Sequence, residues 1–200
     1  ILDAPYIGIT MGWSWGEFNG IANERHFHRT LGKIGGKPSL TVNDIKVNRN
    51  HIINPYTRLT DTGGIYFVGD QAMQIKGKVP QLSEVIGNYL AEPRPKGRNE
   101  ASLIYTDEGT AYLFFKDNVI DGEMGIWRIF QRGKDSRYKI FKRNFFRRYP
   151  DSWRRHKEKW ITDENCSETD NVYIDRQRKD KPFTLEQWPD EAQRLIRQAG

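Results

Sequence analysis

Short apolar and aromatic runs, separated by turn-forming residues, recur along the chain and predict a protein that is mainly β with short helices. Runs of this kind, bounded by Gly, Pro, Asn or Asp, are typical of short strands. Residues 103–105 and 111–115 flank a Gly-containing segment and therefore predict a β-hairpin. Further strands are predicted at residues 6–9, 13–15, 39–47, 65–68 and 126–130.

Helical periodicity appears in three places. Apolar residues recur at helical spacing over residues 82–90, and a second helical face covers residues 149–160. A third helix is predicted after Trp188, because Asp190 suits the positive end of the helix dipole and Gly200 suits a helix end. The apolar face of this third helix consists of Ala192, Leu195, Ile196 and Ala199.

The chain length and the cysteine content limit the class of protein. A chain of 200 residues is most simply a single domain spanning residues 1–200. No run of 18 or more apolar residues occurs, so we expect no transmembrane segment. The single cysteine, Cys166, excludes an internal disulfide and a Cys-rich zinc site. The sequence begins with Ile1 rather than Met, which favours a processed, secreted protein.

The positive charge is concentrated in one part of the chain. The formal net charge is +6, yet residues 133–160 contain eleven Lys or Arg and only three Asp or Glu. Aromatic residues alternate with these cations, which is typical of a surface that binds a polyanion. The predicted polyanion-binding residues are Lys142, Arg143, Arg147, Arg148, Arg154 and Arg155.

Three kinds of partner are compatible with this basic segment. A glycosaminoglycan or a nucleic acid would pair its phosphates or sulfates with the arginines, and an acidic protein would pair its carboxylates. Alternatively, the rings fill the core and the cations form a solvated face. A subunit interface in a larger assembly is a further interpretation, because aromatic residues and Arg are enriched in interfaces.

The histidines offer the densest titratable cluster. His26 and His28 would share one face of a strand, and His51 could supply a third ligand to an open transition-metal site or act in proton transfer. The alternative to a binding module is therefore an enzyme acting on nucleic acid or a phosphoester. Unliganded surface histidines explain the same pattern. The sequence contains no phosphate-binding loop, so no catalytic residue is assigned and an enzyme is not the favoured interpretation.

Four segments resemble one another and predict an internal repeat. They begin at Asp3, Asn54, Glu100 and Asp170, and each starts with an acidic or amide residue that leads into a short strand. This alignment divides the chain into repeats at residues 3–53, 54–99, 100–169 and 170–200.

Residues 62–70 and 108–117 resemble the hemopexin-type repeat, whose pattern is Gly-x-x-Tyr-x-Phe-x-Gly. Residues 125–128, Gly-Ile-Trp-Arg, resemble the Trp-Arg element of that repeat. The resemblance implies a four-bladed β-propeller; an irregular α+β single domain is the alternative. It also implies that main-chain oxygens near Asp3, Asn54, Glu100 and Asp170 hold a cation such as calcium in a central channel. The disulfide that usually joins the first and last blades of this family cannot form here.

The sequence thus predicts a non-enzymatic binding module that recognises a polyanion or an acidic protein through its basic segment.

Overall fold

A computed structural model describes residues 1–12, 44–59, 62–68, 81–92, 101–107, 110–122, 126–127, 138–147, 166–174 and 183–200. Fourteen short strands lie within these ranges. In chain order they are β1 (Ile9–Met11), β2 (Lys46–Asn48), β3 (His51–Ile53), β4 (Thr62–Phe67), β5 (Ser83–Ile86), β6 (Tyr89–Ala91), β7 (Ala101–Thr106), β8 (Leu113–Lys116), β9 (Val119–Asp121), β10 (Ile126–Trp127), β11 (Lys139–Lys142), β12 (Phe145–Phe146), β13 (Ser167–Thr169) and β14 (Val172–Tyr173). A 3₁₀ turn (Leu185–Gln187) and the helix α1 (Asp190–Gln198) follow.

The strands form three sheets, and every strand pair among the described residues is parallel. Sheet I has the order β1-β4-β7-β10, sheet II the order β2-β5-β8-β11-β13, and sheet III the order β3-β6-β9-β12-β14. The chain therefore visits sheets I, II and III in turn and then returns to sheet I one step further along. This path is a parallel β-helix, a solenoid in which each coil contacts only its neighbours.

The coils are numbered here by their strands: coil 1 holds β1 to β3, coil 2 holds β4 to β6, coil 3 holds β7 to β9, coil 4 holds β10 to β12, and coil 5 holds β13 and β14. The sheet II strands begin at residues 46, 83, 113, 139 and 167, so successive coils are 37, 30, 26 and 28 residues apart. Residues 1–3 run parallel to β3, with Leu2 bridged to Ile53, and so extend sheet III beyond coil 1.

The corner between sheets II and III is the same in all five coils. Two residues separate the strands, and the second of them is always asparagine: Asn50, Asn88, Asn118, Asn144 and Asn171. In each coil from 1 to 4, the Asn backbone N–H and side-chain Nδ2 both donate to the Oδ1 of the next asparagine, at 2.8–3.1 Å. This asparagine ladder pairs buried polar groups that would otherwise cost free energy.

The first residue of each corner has a left-handed backbone. Its φ is 57° at Arg49, 68° at Gly87, 55° at Asp117, 56° at Arg143 and 56° at Asp170. Glycine adopts this conformation without strain and aspartate tolerates it, whereas arginine has no such advantage. Arg143 is held there by Asp117, whose carboxylate accepts from its Nε at 2.5 Å and its Nη2 at 2.7 Å.

The core is a set of aligned side-chain columns inside the coils. Sheet II contributes Val47, Val85, Phe115 and Phe141, and sheet III contributes Ile52, Leu90, Ile120 and Phe146. The rings of Phe115 and Phe141 are parallel with centroids 4.5 Å apart. Like residues at the same position of successive coils thus stack along the axis and exclude water.

The core columns end in a polar pair at coil 5. Glu168 continues the column of Phe141, and Tyr173 continues the column of Phe146 and stacks on its ring at 5.1 Å. The Tyr173 hydroxyl donates to Glu168 Oε1 at 2.6 Å across the coil. Polar residues at these positions cap the apolar columns, as terminal repeats of solenoids generally require.

The outer face of sheet III is covered by the C-terminal segment. Trp188, Ala192 and Leu195 pack against Val119 and Phe145 in a second apolar cluster. The prediction of a helix after Trp188 is confirmed by α1. No helix among the described residues is long and apolar enough to span a membrane.

The four-bladed propeller is wrong, and so is its alternative, an irregular α+β domain. All the paired strands described run parallel and stack in three continuous sheets, whereas a propeller blade is an antiparallel sheet of its own. The two segments compared with the hemopexin repeat, 62–70 and 108–117, do not occupy equivalent positions, because 62–67 forms β4 of sheet I and 113–116 forms β8 of sheet II.

Two local predictions are also wrong. The hairpin predicted from residues 103–105 and 111–115 does not form, because β7 belongs to sheet I and β8 to sheet II. Residues 82–90 form the strands β5 and β6 rather than a helix. The predicted helix at 149–160 lies outside the described residues.

Candidate functional site

The basic residues predicted to bind a polyanion are placed differently from one another. Lys142 is exposed on the outer face of sheet II, in register with Lys116. Arg143 is part-exposed and bonded to Asp117. Arg147 is buried, with Nη1 3.4 Å from Asp121 Oδ1. Arg148, Arg154 and Arg155 lie outside the described residues.

Of the three histidines in the predicted cluster, only His51 lies within the described residues. His51 is half-buried on the outer face of sheet III, where its ring meets the edge of the Tyr89 ring at 5.0 Å. His26 and His28 lie outside the described residues. Among the residues that the structure does describe, no group of three or more His, Cys, Asp or Glu could hold a metal ion.

The residues assigned to a central cation channel do not surround one axis. Asp3 and Asn54 are neighbours, and Asn54 Nδ2 donates to Asp3 Oδ1 at the end of sheet III. Asp170 lies at the other end of the solenoid, at the II–III corner of coil 5. Glu100 lies outside the described residues. The channel was implied by the propeller, and the interior of the coils is instead filled by apolar side chains.

Tyr89, Asp121 and Arg147 form a buried ionisable group on the outer face of sheet III. Burial raises the pKa of Asp121, and Arg147 and the Tyr89 hydroxyl only partly offset this. Burial and the neighbouring Asp121 also raise the pKa of Tyr89. The ring of Phe183 covers Arg147, with the guanidinium carbon 5.2 Å from the ring centroid. This group therefore contacts the C-terminal segment through the ring of Phe183.

A second buried carboxylate, that of Glu92, lies at the corner between sheets III and I. The Tyr56 hydroxyl donates to Glu92 Oε2 at 2.9 Å, and both residues are buried. Burial, followed by the charge of Glu92, raises the pKa of Tyr56 well above its ordinary value. The tyrosine therefore remains a donor at all physiological pH values and holds Glu92 in place.

The lengths of the connections single out one side of the solenoid. Each II–III connection has two residues, and the III–I connections over 54–61, 92–100 and 122–125 have eight, nine and four. The I–II connections over 12–45, 68–82, 107–112 and 128–138 have 34, 15, 6 and 11 residues. In repeat proteins, insertions of variable length gather on one face, which is often the binding face. Sheet I borders these variable connections.

A row of outward positions crosses sheet I. Thr10, Tyr66 and Tyr105 are paired in register on β1, β4 and β7. Ile65, Phe67 and Ile104 point into the core, so their strand neighbours Tyr66 and Tyr105 face outward. The two tyrosine rings meet edge to face with centroids 5.1 Å apart. Tyr105 is buried, Tyr66 is half-buried and Thr10 is exposed.

Asp107 lies beside this row at the end of β7. Its backbone N–H donates to the Phe67 carbonyl at 2.8 Å, and its carbonyl accepts from the Thr110 N–H at 3.1 Å. The Thr110 hydroxyl also donates to the Phe67 carbonyl at 3.1 Å. These bonds tie a tight loop to the end of β4, and there the Tyr66 hydroxyl donates to Asp107 Oδ2. The sheet I site is defined here as Thr10, Tyr66 and Asp107, and the buried ring of Tyr105 supports Tyr66 from beside it.

The sheet I site combines three kinds of chemistry. Tyr66 presents a ring and a hydroxyl, Thr10 presents a second hydroxyl, and the half-buried carboxylate of Asp107 is an acceptor when ionised. An aromatic surface with a few fixed polar groups is typical of small-molecule sites. The sequence prediction missed this site because it treated residues 106–110 as a hairpin turn. The signal available was two matching segments, Ile65-Tyr66-Phe67 and Ile104-Tyr105-Thr106, each at the end of a strand.

No protein-family model matches the sequence, and no curated protein is significantly similar to it. A solved structure described as a glycoside hydrolase superposes on this chain with a TM-score of 0.48 and 17% sequence identity. The match covers 98% of this chain and 20% of that chain, so this chain spans about a fifth of the length of that protein. A likeness this distant leaves the activity to be argued from the residues of this chain.

Proposed function

We propose that this protein binds a carbohydrate on the outer face of sheet I. The proposal rests on one observation: the sheet I site lies on the side of the solenoid where the connections vary from 6 to 34 residues. The outer face of sheet III is unsuitable, because the C-terminal segment already covers it.

The chemistry of the site suits a sugar. The C–H face of a pyranose packs against an aromatic ring, and its hydroxyls donate to a carboxylate. Tyr66 and Asp107 supply this pair from neighbouring strands, and their mutual hydrogen bond fixes the position of both. Because the strands of a sheet are about 4.8 Å apart, the row of Thr10, Tyr66 and Tyr105 extends about 10 Å along the solenoid axis. A ligand of this kind would cross the strands rather than follow one of them.

Affinity electrophoresis in gels containing neutral and acidic polysaccharides tests the proposal. We expect at least one polysaccharide to retard the protein, and we expect Asp107→Asn to lose about ten-fold in affinity. Asp44→Asn is the matched control, because Asp44 is an exposed aspartate that accepts one side-chain bond, from Gln81 at 3.0 Å. Equal retardation of Asp107→Asn and the wild type would reject the site. Release of reducing sugar in the same samples distinguishes a hydrolase from a binding module.

Polyanion binding by the basic segment stays a second proposal, and Lys116 and Lys142 are the observation that favours it. The two side chains are opposite each other in register on the outer face of sheet II, although like charges opposed in a sheet are unfavourable. The predicted arginines contribute less, because Arg143 binds Asp117 at 2.5 Å and Arg147 is buried beside Asp121, whereas Lys116 Nζ lies 3.9 Å from Asp117 Oδ2. If the proposal is right, Lys116→Gln with Lys142→Gln elutes earlier from heparin than the wild type. Unchanged elution would reject it.

The enzymatic alternative through His26 and His28 also stays a prediction. Elemental analysis for stoichiometric transition metal, compared between the wild type and His26→Ala, tests it. His51 is edge-on to Tyr89 and does not complete a cluster within the described residues.

A further inference from the structure

The C-terminal segment, residues 183–200, contacts coils that do not contact each other. Near the start of α1, Glu191 Oε1 lies 3.9 Å from Arg143 Nε at the II–III corner of coil 4. After its end, the Gly200 N–H donates to the Arg49 carbonyl at 2.7 Å, at the same corner of coil 1. The segment therefore runs along the solenoid axis from coil 4 back to coil 1.

The length of the helix matches this span. α1 has nine residues, which corresponds to about 13.5 Å. Three steps between coils at about 4.8 Å give about 14 Å. Its apolar face follows the outward column of sheet III, in which Tyr89, Val119 and Phe145 are paired in register across coils 2, 3 and 4. The helix thus packs against this column between the two contacts at its ends.

We propose that residues 183–200 form an axial clasp that couples the unfolding of coil 1 to that of coil 4. In a solenoid held only by contacts between neighbouring coils, the end coils open independently of one another. The clasp adds a connection between distant coils. A coil at one end therefore cannot open without losing contacts made at the other.

Two features make the clasp a specific contact. Trp188 is buried against Phe183, with the ring centroids 5.3 Å apart, and Phe183 in turn covers Arg147. The acidic residues Asp190 and Glu191 lie at the positive end of the helix dipole, and Arg197 lies in its last turn, so α1 is stabilised in the orientation that its contacts require.

Native-state hydrogen exchange of the full chain tests the proposal with Ala192→Asp, which buries a charge against Val119 and Phe145. The readout is the Asn54 N–H of coil 1, bonded to Ala91 O at 2.8 Å, compared with the Phe145 N–H of coil 4, bonded to Asn118 O at 2.8 Å. We expect protection at both amides to fall together by about ten-fold or more. A loss confined to coils 3 to 5, with Asn54 unchanged, would overturn the clasp.

Gln198→Ala is the matched control, because this side chain is exposed on the same helix. It should leave protection at both amides close to that of the wild type. If Ala192→Asp fails to fold, Leu195→Ala weakens the same interface less severely. The same pair of amides then decides between coupled and independent opening.

Discussion

The II–III corner and the I–II corner are made by the same coils and follow opposite rules. At the II–III corner every connection has two residues, and an asparagine ladder links all five coils. At the I–II corner the connections range from 6 to 34 residues. The II–III edge of this solenoid therefore fixes the register of the coils. The connections at the I–II edge can then differ in length without changing the register, and the sheet I site lies beside that edge.

The largest effect is expected at the centre of the ladder. Asn118→Ala removes the Oδ1 atom that accepts from the backbone N–H and the Nδ2 of Asn88. It also removes the Nδ2 that donates to the Val85 carbonyl, and the groups on Asn88 and Val85 stay buried without these bonds. We expect unfolding free energy to fall by about 4 kcal/mol, because each buried unsatisfied group costs about 1–3 kcal/mol. Urea unfolding measures it. Asn50→Ala, at the outermost coil, is the control and should cost about 1 kcal/mol. Equal losses at the two positions would show that the ladder does not act as a buried network.

A pH-dependent effect is expected on the covered face of sheet III. Burial raises the pKa of Asp121, so the folded state binds its proton more tightly than the unfolded chain does. The unfolding free energy of the wild type should therefore fall as pH rises from about 4 to the raised pKa of Asp121. Asp121→Asn should lack this part of the decline. Denaturant midpoints measured across that range test it, and parallel curves for the two proteins would contradict the assignment.

A smaller effect is expected at the left-handed corner position of coil 2. Gly87 has a φ of 68°, and a Cβ there would meet only Arg49 Cγ, at 3.5 Å. Gly87→Ala should therefore cost about 1 kcal/mol through backbone strain rather than a clash. Gly87→Asn should cost less, because asparagine tolerates this conformation. Thermal unfolding of the two variants ranks them, and the reverse order would indicate that a steric contact dominates.

The smallest effect on stability is expected in the sheet I site. Tyr66→Phe keeps the ring packed against Tyr105 and removes only the hydroxyl that donates to the half-buried Asp107. We expect a loss of about 1 kcal/mol or less in unfolding free energy, together with weaker carbohydrate binding. Tyr138→Phe, at the stacked pair with Tyr112, is the control and should leave binding unchanged. Loss of binding in both variants would point to a general structural effect.

Local elements could be predicted from the sequence where the signal lies within a few residues. The apolar run at 65–68 overlaps β4, and the helix after Trp188 is α1. The apolar pattern at 82–90 misled the prediction for a physical reason. Val85 and Leu90 point into the core from different sheets, whereas Tyr89 faces the outer cluster. The two-residue corner between β5 and β6 nevertheless places Tyr89 four residues after Val85 and Leu90 four residues after Ile86, which is the spacing of a helix.

The global fold could not be predicted, because parallel pairing joins residues that are 22 to 56 positions apart and leaves no tight turn between partners. The repeat was sought at Asp3, Asn54, Glu100 and Asp170. Asp3 and Asn54 are indeed neighbours in adjacent coils, whereas Asp170 occupies a different corner. The informative signal was an asparagine followed by two apolar or aromatic residues, as in Asn118-Val119-Ile120. Its unequal spacing of 38, 30, 26 and 27 residues concealed it.

The proposal that sheet I binds a carbohydrate is tested most directly by hydrogen exchange of the wild type, because this measurement locates the ligand. The exchange is compared with and without an oligosaccharide from a polysaccharide that retards the protein in the gel. The account predicts added protection in residues 62–68 and 101–107, the strands that carry Tyr66 and Asp107, with residues 138–147 and 183–200 unchanged. Protection centred on residues 138–147 would contradict it and would place the ligand on the basic segment instead.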